Sequence, residues 1–111
     1  MDCLFCKIAQ GQIPVERVLE DEHGLAFPDI NPQAPVHLLV IPKQHLASLA
    51  DCKDFDLIGR LHALGVRAAA AKGIAETGFR VVTNTGKDAN QTVFHLHLHV
   101  IGGRAMGWPP G

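Results

Sequence analysis

Near its C-terminal end the chain reads His95-Leu96-His97-Leu98-His99-Val100-Ile101, and no other stretch restricts the backbone so tightly. Side chains alternate across an extended strand, so His95, His97 and His99 fall on one face and Leu96, Leu98 and Val100 on the other. A helix would mix the two sets around its axis. We therefore read a strand over Phe94 to Ile101 with one apolar face and one imidazole face. Successive histidines stand roughly 6 to 7 Å apart at the Cα, close enough for all three to border one small site. Polar rings on a buried face need partners, so the triplet points to function more than to packing. Two chemistries suit it. Neutral imidazole is the commonest metal ligand, and its pKa near neutrality suits nucleophilic or acid–base catalysis.

The rest of the chain supplies layers around that strand. His37-Leu38-Leu39-Val40-Ile41 is a continuous apolar run closed by Pro42, with the length and branching of a central strand. Phe79 to Asn84 reads as a further strand, parted from the histidine strand by the polar loop Thr85 to Gln91. Val15 to Glu20 and Leu25 to Asp29 flank the turn residues Asp21-Glu22-His23-Gly24, which predicts a hairpin, and Asn31 to Pro35 makes a constrained loop. Behind Asp54, a good N-cap, Leu57, Leu61, Leu64, Ala68, Ala71 and Ala75 recur at steps of three and four. That stripe predicts a long amphipathic helix ending at Gly73 or Gly78. Leu4 to Ala9, followed by Gly11 and Pro14, predicts a short one. Runs of strands with one long helix between them give the fold class α+β, with a largely antiparallel meander. A length of 111 residues without repeat or linker gives one domain, residues 1–111.

Charge and cysteine usage narrow the function. A formal net charge of -1 supplies no broad positive field for nucleic acid, and no apolar run is long enough to span a membrane. The first seven residues lack a basic stretch followed by an apolar one, so a cytoplasmic location is expected. In that compartment Cys3 and Cys6, at C-x-x-C spacing, suggest metal or redox chemistry before a structural disulfide. A thioredoxin-like use lacks the strand it needs ahead of the motif. Cys52 reads as a small packing residue at the start of a helix, and His23 and His62 as surface histidines. Thr92, with Gly86, Asn90 and Gln91, offers hydroxyl and backbone donors suited to phosphate oxygens, and no Gly-Lys-Ser/Thr loop is present.

The histidine segment, together with Asp29-Ile30-Asn31-Pro32-Gln33-Ala34-Pro35-Val36-His37-Leu38-Leu39-Val40-Ile41-Pro42-Lys43 and the ending Gly102 to Gly111, resembles the histidine triad (HIT) superfamily. The likeness covers nearly the whole chain and is to the histidine triad nucleotide-binding (Hint) branch. It implies a five-stranded HIT-like fold with one long and one short helix, dimerising into a ten-stranded sheet. It also implies a purine nucleoside phosphoramidase that forms a nucleotidyl-histidine on its way to AMP or GMP. His97 matches the nucleophile, and His99 and His37 match its neighbours at the phosphate. Asn84 and Thr92 match further phosphate contacts, Asp29 the ribose contact, and Phe5, Ile8, Phe27 and Ile30 the apolar slot for the purine. Thr92 stands where these proteins commonly carry serine; the hydroxyl is kept and a methyl is added.

Cys3 and Cys6 resemble the zinc pair of some bacterial members, whose remaining ligands match His45 and His95. Two cysteines and two histidines make a closed tetrahedral set, and a structural zinc there would pin the short helix to the histidine strand. In the resembling family the tail around Trp108 reaches toward the partner's site. Two other readings stand beside the phosphoramidase: a dinucleoside polyphosphate hydrolase or nucleotidyl transferase of the same superfamily, and a noncatalytic nucleotide-sensing module.

Overall fold

A computed structural model of the chain describes residues 3–111; Met1 and Asp2, which open the stretch read above for a leader, lie outside them. The elements are helix α1 (Leu4–Ala9), strands β1 (Leu19–Glu20), β2 (Gly24–Pro28) and β3 (Val36–Pro42), helix α2 (Phe55–Ala71), and strands β4 (Phe79–Val82) and β5 (Leu98–Gly102). They form a five-stranded sheet in the order β1-β2-β3-β5-β4, antiparallel throughout. β1 to β3 are a meander. The chain then crosses through α2 to the far edge and returns, so the histidine-bearing β5 lies inside the sheet between β3 and β4.

Alternation along β3 and β5 divides the interior into two layers. Leu38 and Val40 of β3 and Leu98 and Val100 of β5 pack with Leu57, Leu61, Leu64, Ala68 and Ala69 of α2. On the other face Leu39 and Ile41 join Leu25 and Phe27 of β2 and Phe5 and Ile8 of α1. The apolar run of β3 is continuous because both of its faces are covered.

α2 starts where expected: the Asp54 carboxylate caps it by accepting from the Asp56 N–H at 3.0 Å, worth about 1 kcal/mol. It stops at Gly73, whose φ of +78° lets the chain turn out of the helix. The buried stripe is Leu57, Leu61, Leu64, Gly65, Ala68 and Ala69; Ala71 and Ala75, expected in it, are exposed, and Ile74 fills the core beyond the helix end instead.

Three strands are shorter than expected, and one of them, β4, ends at Val82 rather than Asn84. The hairpin begins at Leu19 rather than Val15, because Ile13 to Val15 turn toward the α1 side of the sheet. β5 begins at Leu98 rather than Phe94. Continuing the β3–β5 register past Val40↔Leu98 would set Pro42 opposite Leu96. Proline has no N–H to give, the Pro42 carbonyl accepts from the His95 ring at 2.9 Å, and the Leu96 N–H goes to the Leu46 carbonyl at 2.6 Å. The partners that would extend the ladder are therefore already engaged. Among the described residues no helix is long and apolar enough to cross a membrane.

Close approach of α2 to the sheet makes glycine necessary at position 24. A Cβ there would stand 2.9 Å from the Ile41 carbonyl and 2.9 Å from Leu61 Cδ2. Gly24→Ala should lower unfolding free energy by about 1–3 kcal/mol. Gly59→Ala, in an exposed part of α2 with nothing within 4 Å of the new methyl, should raise it by about 0.4–1 kcal/mol. Denaturant titration of the two variants checks both signs; a gain in stability for Gly24→Ala would mean that the neighbouring strand and α2 yield to the new methyl and that their close approach does not require glycine there.

Candidate active site

β3 and β5 bring His37 and His99 together by register. His99 pairs with Leu39 and His37 with Ile101, so the two rings are diagonal neighbours on one face. His37 Nε2 and His99 Nδ1 lie 2.8 Å apart. The ring of His97 lies 5.0 Å from that of His99, and the Phe5 ring meets His97 edge-on at 5.2 Å. His97 itself lies just before β5, in a segment that keeps the alternation although it has left the ladder.

The hydrogen bonds assign the protons of the neutral rings. The Gln33 backbone N–H donates to His37 Nδ1 at 3.0 Å, so the His37 proton sits on Nε2. That N–H points at His99 Nδ1, with the Asp29 carboxylate 3.3 Å away, and His99 must then carry its own proton on Nε2. His97 Nδ1 lies 2.7 Å from the His95 carbonyl; a carbonyl only accepts, so Nδ1 bears the proton and Nε2 keeps its lone pair. Burial keeps the neighbours uncharged. It pushes His37 down, against the pull of Asp29, and it pushes His99 down to about 4, helped by His97 and His37.

These residues line a cavity of about 790 Å3 beside α1. Phe5, Ile8 and Phe27 form its buried apolar wall, Asp29, Asn84 and Thr92 line it with the three histidines His37, His97 and His99, and Ile30, fully exposed, stands at its mouth. The structure thus gathers around one cavity every residue that the family resemblance matched to a nucleotide contact, together with Asn90, but not Gly86, whose N–H goes to the Gln91 side chain. It adds others that sequence reasoning missed: Leu39 and Ile13 in the apolar wall, and Asn31 and Gln33 near the histidines. The alternation of β3 could have found Leu39, which shares a face with His37. Gln91, expected to offer donors to phosphate, turns inward instead, with its side chain buried.

The third histidine of the triplet belongs to a different cluster. His95 is wholly buried and donates from Nε2 to the Pro42 carbonyl, which leaves the Nδ1 lone pair facing Cys3, Cys6 and His45. His95 Nδ1 lies 3.3 Å from Cys3 Sγ, 3.5 Å from Cys6 Sγ and 3.2 Å from His45 Nδ1, and Cys6 Sγ lies 3.3 Å from His45 Nδ1. Ligands on a tetrahedral ion bound at zinc-like lengths stand about 3.3–3.8 Å apart, so the four residues could hold a metal ion. The bond from His95 to Pro42 is the outer support that ligating imidazoles usually have. Asp29, His37 and His99 also bring donor atoms within 4.8 Å of one another. There, however, ligation through His37 Nε2 would drive its proton onto Nδ1, against the Gln33 N–H. The two histidines are instead links of a hydrogen-bond relay that runs from the Gln33 N–H through His37 to His99, with Asp29 beside it.

The remaining singled-out residues lie elsewhere. His62 is exposed on α2, and His23 is half-buried at the hairpin turn beside Glu22 and Arg60. Cys52 is buried just before α2, its thiol against the Asp54 carbonyl. Trp108 is 82% exposed, with the Arg80 guanidinium 5.8 Å from its ring centre.

The low pKa of His99 has a consequence for stability. Between its folded value of about 4 and the ordinary 6.5, the unfolded chain binds more proton than the folded one. The associated stability is complete above pH 6.5 and is lost as pH falls toward 4. Denaturation midpoints measured across this range should fall with pH, and less steeply in His99→Gln; parallel slopes would show that His99 is not protonated on unfolding.

The comparisons with known proteins agree with this architecture. The HIT domain family model matches residues 10–106. An uncharacterised HIT-like protein of Synechococcus elongatus is 50% identical over 112 residues, covering 99% of this chain and 97% of that protein. The crystal structure of a HIT family hydrolase from Legionella pneumophila superposes with a TM-score of 0.94 at 51% identity, covering 99% of this chain and all of the other. A histidine triad nucleotide-binding protein from Candida albicans superposes with a TM-score of 0.84 at 32% identity, covering 97% and 83% of the two chains. With the sheet order, the paired histidines and these likenesses together, the chain belongs to the HIT domain family.

Proposed function

We propose that the chain is a nucleotide-binding hydrolase, and specifically a purine nucleoside phosphoramidase that splits the P–N bond of AMP or GMP amidates. The observation that carries this reading is the His97 ring: its Nδ1 proton is committed to the His95 carbonyl, so Nε2 is left as a neutral nucleophile on a residue that lines the cavity. The Legionella relative is described as a hydrolase and the Candida relative as nucleotide-binding, in keeping with it.

In this reading the purine lies against Phe5, Ile8 and Phe27 and covers Ile30, and the Asp29 carboxylate takes the ribose hydroxyls. Asn84, Thr92 and His99 Nε2–H hold the phosphate oxygens. His97 Nε2 attacks the α-phosphorus, the P–N bond breaks, and the amine leaves after taking a proton. Water then cleaves the nucleotidyl-histidine, giving AMP or GMP and the free imidazole, so one hard displacement becomes two easier ones. The relay from the Gln33 N–H through His37 to His99 fixes the orientation of the His99 proton. Cys3, Cys6, His45 and His95 would hold a structural zinc, which would tie α1 to the segment bearing His97 and stand apart from the reacting atoms. A homodimer joined into a ten-stranded sheet belongs to the same proposal: β4 is a sheet edge whose four residues are only half-buried, with exposed Trp108 beside it.

One observation favours the amidate over a dinucleoside polyphosphate. Among the described residues lining the cavity there is no Lys or Arg, and the sole carboxylate is Asp29. Neutral donors suit a singly charged phosphoryl group, whereas a polyphosphate leaving group brings charges that nothing in the cavity offsets. A nucleotide sensor, for its part, would need no free nucleophile.

Incubation with an adenosine phosphoramidate should yield AMP and free amine, with little turnover of a dinucleoside tetraphosphate. The reverse preference would favour the polyphosphate hydrolase. His97→Asn should reduce turnover by about four orders of magnitude or more while still binding AMP. Normal turnover in that variant would sink the covalent scheme, and AMP binding without turnover of either substrate by the unaltered chain would make it a sensor.

A further inference from the structure

Three consecutive residues after β3, His45, Leu46 and Ala47, are each tied to a different part of the molecule. His45 Nδ1 faces Cys6 and His95 in the metal cluster. The Leu46 carbonyl accepts the Leu96 N–H at 2.6 Å, between His95 and His97. The Ala47 carbonyl accepts from Gln91 Nε2 at 2.8 Å. Gln91 is 8% exposed, and its amide is fully used: Nε2 also donates to the Val93 carbonyl at 3.1 Å, and Oε1 accepts the Gly86 N–H at 3.0 Å. A single side chain therefore spans both ends of the loop that carries Thr92 and fastens it to the residue two places after a metal ligand. The second link is shorter still, since the carbonyl that sets the His97 tautomer is that of His95, itself a member of the cluster.

The segment holding these links has no helix or strand of its own, so its position depends on the bonds at its anchors. None of Cys3, Cys6, His45 and His95 lines the cavity, so a nucleotide can influence the cluster only through the protein.

We infer that the metal cluster is coupled to the phosphate site, positioning the Thr92 loop through Leu46, Ala47 and Gln91 and the His97 ring through the His95 carbonyl, with Gln91 as the positioning residue of the longer link. The inference rests on the nucleotide reading above. Coupling of binding is reciprocal, so whatever the metal does for nucleotide affinity, the nucleotide does for metal affinity.

The full chain loaded with Co2+ provides the test, because the visible bands of cobalt report on its ligands. Adding AMP should shift those bands with a midpoint equal to the AMP Kd from calorimetry. A chelator should remove cobalt about tenfold less readily from the AMP complex than from the free protein. Gln91→Met keeps all four ligands, and should reduce that factor to about twofold. Unchanged bands together with unchanged cobalt affinity at saturating AMP would overturn the coupling, and full coupling in Gln91→Met would overturn the role of Gln91. Failure of loaded protein to bind AMP at all would sink the nucleotide reading instead. In that event the 15N NMR signal of His97 Nδ1 decides, because exchanging zinc for the larger cadmium ion should shift it, and a signal indifferent to the metal would overturn the link.

Discussion

Buried imidazoles must place their N–H groups on acceptors, and most of the geometry around this site follows from that requirement. His95, with no exposed surface, gives its proton to the Pro42 carbonyl. That bond takes an acceptor which the strand ladder would otherwise use, so β5 begins three residues later at Leu98. The freed backbone is then available: the His95 carbonyl accepts from the His97 ring and the Leu96 N–H bonds to Leu46. Leaving the ladder costs sheet bonds, but each group finds another partner, and no buried side-chain nitrogen or oxygen among the described residues lacks one.

The same alternation that offers imidazoles on one side offers leucines on the other. Leu96, Leu98 and Val100 anchor the segment against α2, in the larger of the two apolar clusters. Burial of each such side chain contributes about 1.5–3 kcal/mol, more than a hydrogen bond between neutral groups. Rigidity of the histidine face is therefore supplied from behind, by packing that never touches the cavity. α1 is a different case. Six residues are too few for a stable isolated helix, so it depends on Phe5 and Ile8 in the core, on Arg17 bonding the Ile8 carbonyl at 2.7 Å, and on the cysteines at its start. Because α1 walls the cavity, those attachments shape the apolar slot.

Electrostatically the site is quiet. Burial holds His37, His95 and His99 neutral near pH 7, and Asp29, the one carboxylate among the described residues that line the cavity, is shared between the Asn31 N–H at 2.8 Å and the His37 ring. A neutral imidazole donates from one nitrogen and accepts at the other, whereas an imidazolium only donates, so the low dielectric preserves the bond from His37 to His99.

The sequence by itself determined which residues share a face. Period two at His95 to Val100, steps of three and four behind Asp54, and the glycine stop at Gly73 are local signals, and each reappears in the structure with small changes of boundary. The histidine face and the polar loop before Thr92 were legible for the same reason, whereas the apolar wall of the cavity was legible only through the family resemblance. The insertion of β5 between β3 and β4, the early end of the ladder, the inward turn of Gln91 and the place of each imidazole proton were decided only by tertiary structure. The physical reason is distance along the chain. A side chain's facing depends on its immediate neighbours, but the partners that fix protons and end strands lie far away, as with Cys3 and His95, 92 residues apart, or His37 and His99, 62 apart. Such pairs meet only once the sheet has brought them together.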